Sequence, residues 1–226
     1  MGISSSVRLR FSVGETGRYI SHLDILRLMG RAVRRAQLPI AYSQGFSPTP
    51  KLAFASTLPV GLTSEAEYVD LQLRTGIDCQ TVQARLNSVL PEGFRFLAGA
   101  DLPERYPALM SLITTACYQI RVLGDAPELA QRIVGLMAQD QLMIVVKRKH
   151  KEKQVNIRAL IDSLVYDAPL RQIELQCASG VKSNLRPMDL LPLLGLGLGD
   201  VLIHRSALLI KTDAGEFLTP FDVLKE

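Results

Sequence analysis

Residues 18–59 read RYISHLDILRLMGRAVRRAQLPIAYSQGFSPTPKLAFASTLP. Ser21 is a strong helix N-cap. Asp24, three residues on, stands where a capping-box acid reaches back, and Ile20 and Ile25 occupy the two staple positions. The spacing predicts a helix over 22–37, ended at Leu38-Pro39 because the residue before proline is pushed out of helical geometry. At 100° per residue, Ile25, Leu26, Leu28, Met29, Ala32, Val33 and Ala36 share one side. Arg27, Arg31, Arg34 and Arg35 fall in a sector of about 100° on the other. One face is thus built to lie on a sheet while the other presents guanidinium groups. A Gly/Pro-rich loop follows over 42–51, and a strand over 51–56.

Working outward, residues 7–13 alternate as a strand with Val7, Leu9, Phe11 and Val13 on one face, closed by a turn over 14–17. A further strand is read over 68–73, with 60–67 between the two strands read as turn-like and acidic. A helix over 79–90 is stopped by Pro91 and Gly93, and a short strand is read over 94–100. The order is β-α-β-β-α-β, the ferredoxin-like order. Residues 101–115 read as a connector with a short helix. From 117 the order restarts: strand 117–123, helix 127–138, strand 142–149, a basic turn into 154–163, strand 171–178, helix 187–194, and a final strand pair over 201–218. The expectation is an α+β chain of two ferredoxin-like halves with antiparallel sheets and duplicated topology, 1–100 and 116–226, joined by 101–115.

The chain has 226 residues and 47% apolar content, which allows a sizeable core and argues against wholesale disorder. Its 26 Lys and Arg against 22 Asp and Glu leave +4, which permits a nucleic acid or acidic-protein partner without demanding one. Cys79, Cys117 and Cys177 are odd in number and far apart, with no C-x-x-C. That argues against a zinc ribbon or an iron–sulfur motif in this chain and reads as reduced thiols in a cytoplasmic setting. The longest apolar candidate, 190–203, is broken by Pro192, Gly195, Gly197, Gly199 and Asp200, so no membrane span is expected.

Three features could carry function. The arginine helix reads either as a solvated surface whose arginines meet Asp24 and other acids, or as a face that tracks phosphates or an acidic partner. The loop around Tyr42, Gln44, Gly45, Phe46 and Lys51 reads either as a rigid connection with its aromatics packed inward, or as a preorganised rim gripping an extended ligand. Lys147, Arg148, Lys149, Lys151 and Lys153 form a basic run, read as a solvated hairpin tip or an electrostatic arm. Conventional catalytic sets are missing from the sequence, and the chain reads as more binding module than enzyme. His22 and Asp24 are the weak catalytic candidates, and Asp70 and Glu67 the remaining acids of interest. No metal ligand set is expected.

The motifs ISHLDILRL (20–28), RAVRRA (31–36), AYSQGFSPTPK (41–51) and LPVGLTSEAEYVD (58–70) carry a family resemblance over residues 8–73. The match is looser through IRALIDSL (157–164) and HRSALLI (204–210). The chain resembles the radical-SAM-associated protein family, the DUF2344 domain. Ser47 and Thr49 stand where that pattern often has Asn and His, which weakens any catalytic role for the loop. The resemblance implies an accessory to a radical SAM enzyme, with the 4Fe-4S cluster and S-adenosylmethionine on that partner and none in this chain. It also tilts the substrate toward RNA or ribosomes. Three readings follow: a non-catalytic module presenting RNA or a ribosome-linked substrate to a radical SAM partner; a protein–protein scaffold docking that partner through an apolar patch at 107–113; and an RNA-modifying or RNA-cleaving enzyme using His22 and Asp24.

Overall fold

A computed structural model describes residues 5–148 and 151–224. It is a mixed α+β fold of two compact units, Met1–Ile113 with Leu208–Glu226, and Thr114–Ala207.

The first unit contains β1 (Ser5–Val13), α1 (His22–Arg35), β2 (Leu52–Phe54), β3 (Thr63–Leu73), α2 (Cys79–Asn87), β4 (Phe94–Leu102) and α3 (Leu109–Leu112). β1 lies between β4 and β3, and β2 pairs with the other edge of β3; all three pairings are antiparallel. Val7, Leu9, Phe11 and Val13 are fully buried, as the alternation of β1 predicts. Above this face, α1 buries Ile25, Leu28, Met29, Ala32 and Val33, and α2 buries Cys79, Val82 and Leu86. Phe11 stacks edge-on against Phe54 and Phe96, with centroids 6.1 and 5.6 Å away. The turn after β1 closes where Gly14 N donates to Gly93 O at 2.7 Å. Gly93 has φ +88°, and a Cβ there would strike the Thr16 side chain, so glycine is required.

The second unit contains β5 (Thr115–Val122), α4 (Leu129–Met137), β6 (Met143–Arg148), β7 (Lys151–Asn156), β8 (Ile161–Asp167), β9 (Gln172–Ala178), α5 (Pro187–Leu190) and the start of β10 (Val201–Lys211). β9 lies between β5 and β8, and β10 is next to β5. β6 and β7 form a separate antiparallel hairpin. From Leu208 the chain belongs to the first unit, which also holds β11 (Phe217–Leu218).

Several sequence boundaries shift. β3 starts at Thr63, inside the stretch read as a turn, because its acids sit in a strand where Ala66 and Glu67 are buried. The basic run is not a turn leading into one segment: β7 starts at Lys151 and β8 at Ile161. α2 ends at Asn87, and α5 gives way to a 3-10 turn at Leu191–Leu194. Residues 208–226, read as part of the second half, group with the first. The physical reason is the buried Arg8, which donates to Pro220 O at 2.8 Å, together with Phe221 ring-packed on Tyr68 at 5.4 Å.

Candidate nucleic-acid interface

α1 begins as the sequence predicts. Asp24 N donates to Ser21 Oγ at 3.3 Å, and the Ser21 hydroxyl donates to Asp24 Oδ2 at 2.7 Å. Arg27 meets Asp24 Oδ1 at 2.9 Å, and the Ser21 and Arg27 hydrogen bonds together hold this exposed carboxyl below its ordinary range. Arg27, Arg31, Arg34 and Arg35 are all exposed. Arg35 Nη2 donates to Val89 O at 2.6 Å. Arg31 and Arg34 make no hydrogen bond or ion pair with the described residues. The helix is therefore half self-paired and half open: Arg27 and Arg35 are engaged, while Arg31 and Arg34 face solvent.

The loop is a closed tip. Tyr42 and Pro50 form an antiparallel bridge, Ser43 N donates to Thr49 O at 2.9 Å, and Thr49 N donates to Ser43 Oγ at 3.0 Å. Ser43 and Thr49, small and hydroxylated, thus staple the loop across its neck. Gly45 turns the tip at φ +119°, a left-handed conformation that suits glycine. Phe46 projects from it at 109% exposure, so this ring is not packed inward. Gln44 is exposed too, while Tyr42 is half-buried. Below the neck, Lys51 N donates to Ala41 O at 2.8 Å, Ala41 N to Gln72 O at 2.8 Å, and Gln72 N to Lys51 O at 3.2 Å, which anchors the loop to β3. Pro50 approaches α1 at Gly30, to within 4.0 Å of where a Cβ there would lie. Gly30 lies on the helix between Arg27 and Arg34, so the neck of the loop, at Pro50, sits against α1.

His22 packs edge-on against Phe54 at 5.7 Å. Burial lowers its pKa, opposed by the charge of Glu67. Its electrostatic neighbour is thus Glu67, a buried acid on the apolar side of β3, while the Asp24 carboxylate is taken up by the Ser21 hydroxyl and Arg27. The opposite side of the same strands is polar. Arg8 Nε and Nη2 meet Asp70 Oδ1 and Oδ2 at 2.8 and 2.9 Å, with Arg8 fully buried. Asp70 was singled out in the sequence but its partner was not. The available signal was a charged residue on the second face of each of two adjacent strands, Arg8 opposite Asp70 in register.

The basic run divides over β6 and β7, with Lys147 opposite Glu152 and Arg148 opposite Lys151 in register. Lys149 lies outside the described residues. Lys153 is exposed and lines a cleft of about 780 Å³ with Lys182, Asn156 and Asn184. The apolar patch expected at 107–113 is divided: Leu109 is 1% and Ile113 3% exposed, Leu112 is half-buried, and Pro107 and Met110 remain outside, Met110 at 53%. Among the described residues no cluster of three His, Cys, Asp or Glu could hold a metal, and no helix is long and apolar enough to cross a membrane.

An α+β protein with an arginine-faced helix beside an aromatic-tipped loop is the class that this geometry defines. The chain belongs to the DUF2344 family, described as "Uncharacterized protein conserved in bacteria (DUF2344)", whose sequence profile matches residues 6–187. Among curated proteins no sequence matches it. Among solved structures, a chain from "Crystal Structure of a Cbf5-Nop10-Gar1 Complex" is similar at 12% identity and TM-score 0.46, over 98% of this chain and 54% of that one. This chain therefore spans about half the length of that structural neighbour.

Proposed function

We propose that this protein is a binding module that grips single-stranded RNA, or a ribosome-linked RNA segment, in the cytoplasm. The observation that carries the reading is Phe46, fully exposed on a stapled loop beside α1, whose Arg31 and Arg34 are open. A planar ring held out on a rigid loop supplies a stacking platform, and guanidinium groups supply bidentate phosphate contacts. Lys147, Arg148, Lys149, Lys151 and Lys153 would add long-range attraction. The family resemblance adds a radical SAM enzyme as the partner that would carry the 4Fe-4S cluster and S-adenosylmethionine.

The two-half reading of the fold belongs here as well. In support, the first unit runs β4-β1-β3-β2, and the second runs β10-β5-β9-β8 when the β6–β7 hairpin is treated as an insertion. These are the same order, and each belongs to a β-α-β-β-α-β chain. The scaffold reading would rest on Pro107 and Met110, which are exposed, and the half-buried Leu112, without the buried Leu109. The enzyme reading would rest on His22 with Glu67 in place of Asp24.

The test is fluorescence anisotropy of a labelled 12-nucleotide RNA across a salt series. Two phosphate contacts, from the open Arg31 and Arg34, at ~0.7 each give a slope of log K against log salt of about −1.4. Arg31→Glu/Arg34→Glu is expected to abolish binding while leaving the fold intact. Salt-independent binding, or none, overturns the reading.

A further inference from the structure

Two clefts open on the polar side of the first unit, away from α1. One, of about 510 Å³, is lined by Lys51, Ala53, Asp70, Gln72, Tyr106 and Leu109. The other, of about 650 Å³, is lined by Ser5, Ser6, Gln72, Leu102, Glu104 and Tyr106. Both volumes fall in the range of small-molecule sites. Gln72 and Tyr106 line both, so the two clefts adjoin at these residues.

The floor is built and rigid. Asp70 has both carboxylate oxygens held by the buried Arg8, which fixes its position in the wall of the first cleft. Gln72 is held by its backbone on both sides, its N donating to Lys51 O and its O accepting from Ala41 N. Its side chain lines both clefts. The Gln72 amide, the Tyr106 and Ser6 hydroxyls and the Lys51 ammonium all lack a hydrogen-bond partner among the described residues. Gln72 and Tyr106, joined by Lys51 in one cleft and Ser6 in the other, thus give concave, half-buried walls a few polar groups that a ligand can engage.

The chemistry selects a class of ligand. Gln72 presents a donor and an acceptor side by side, the pattern that reads the edge of a heterocycle. Tyr106 is a half-buried ring with a polar tip, suited to stacking. Lys51 adds a cation at the rim, at the foot of the Phe46 loop. We infer that this recess is a nucleotide subsite, with a base stacked on Tyr106, its edge bonded to Gln72, and its phosphate met by Lys51. The inference rests on the RNA-binding reading and makes it specific: Phe46 and the arginines hold the strand, and the recess takes one base of it.

The experiment titrates the isotope-labelled full chain with each of the four nucleoside 5′-monophosphates and with inorganic phosphate, reading backbone amide shifts. At least one nucleotide is expected to move the signals of Lys51, Gln72 and Tyr106 where phosphate alone does not. Tyr106→Ala is expected to weaken that binding about tenfold or more, with Tyr106→Phe retaining most of it and Gln72→Ala changing which base is preferred. Unmoved signals with all four nucleotides overturn the subsite, as does equal movement by phosphate. Full binding by both Tyr106→Phe and Gln72→Ala together with unchanged base preference also overturns it, even if Tyr106→Ala fails to fold. The 12-nucleotide RNA separates the two ideas. RNA bound through Arg31 and Arg34 with Gln72 and Tyr106 silent sinks the subsite alone. Monophosphates bound here without RNA binding sink the interface reading alone.

Discussion

Arg8 and Asp70 face each other across β1 and β3 as a two-pronged ion pair, 2.8 and 2.9 Å long, with Arg8 at 0% and Asp70 at 4% exposure. Arg8 also reaches Pro220 O, so one side chain joins the first strand, the third strand and the C-terminal segment of the first unit. Burial pushes the Asp70 carboxyl upward, and the Arg8 hydrogen bonds and charge oppose it. Removing one partner strands the other in a dry setting. Arg8→Met or Asp70→Asn is expected to cost about 3–5 kcal/mol, and Arg8→Met with Asp70→Leu to recover most of it. Urea denaturation midpoints of the three variants check this; additive losses in the double variant would contradict it.

Phe46 offers the opposite case. Its ring touches solvent on all sides, so Phe46→Ala should leave stability within about 0.5 kcal/mol of the parent. Loss of a stacking platform should weaken single-stranded RNA binding by about 1–3 kcal/mol, roughly 5- to 150-fold. Paired melting and anisotropy measurements separate the two effects. A large drop in melting temperature would mean the ring is structural.

His22 sets a pH dependence. Burial lowers its pKa in the folded protein beneath the unfolded value of 6.5, with Glu67 acting against the shift. The unfolded chain therefore takes up the proton first as pH falls. His22 contributes stability fully above pH 6.5, and that contribution fades as pH falls from there through the folded value. Denaturation midpoints at pH 7.5 and 5.5 should differ by less in His22→Gln than in the parent. Equal differences in both would remove His22 as the cause.

The three thiols should differ in reactivity. Burial pushes Cys177 up to about 12, and burial likewise raises Cys79 and Cys117. A raised pKa keeps each thiol protonated and slow at pH 8. Cys117 is the partly exposed one, so mass spectrometry after timed iodoacetamide treatment should find it modified first and Cys177 last. Rapid labelling of Cys177 in the native protein would contradict its place in the core.

Local rules carried much of this architecture into the sequence. The cap at Ser21, the amphipathic split of α1, the alternation of β1 and the stop at Gly93 are each legible because each depends on neighbours within a few residues. β3 was legible only from residue 68, since Glu67, buried near His22, looks like a surface acid in one dimension. The division of the basic run between β6 and β7 was hidden because lysines in a two-stranded hairpin carry no apolar alternation to read.

The candidate site divides in the same way. The residue types for phosphate contact and stacking were named from sequence, because a run of arginines at helical spacing and a Gly/Pro loop are local patterns. Tertiary structure decided what each is free to do. Asp24 and Val89 engage Arg27 and Arg35 and leave Arg31 and Arg34 open, and the Ser43–Thr49 staple aims Phe46 outward. Ser5, Ser6, Lys51, Glu104 and, in both, Gln72 and Tyr106 line two adjoining clefts that no spacing announces. Sequence alone determined the helices, the main strands and the chemistry on offer, since propensity and periodicity act along the chain. Which charges are neutralised, which are left free and which distant residues share a cavity depends on strand register and burial. Those arise only when residues 62 and 212 positions apart are brought within hydrogen-bond distance, as Arg8 is to Asp70 and Pro220.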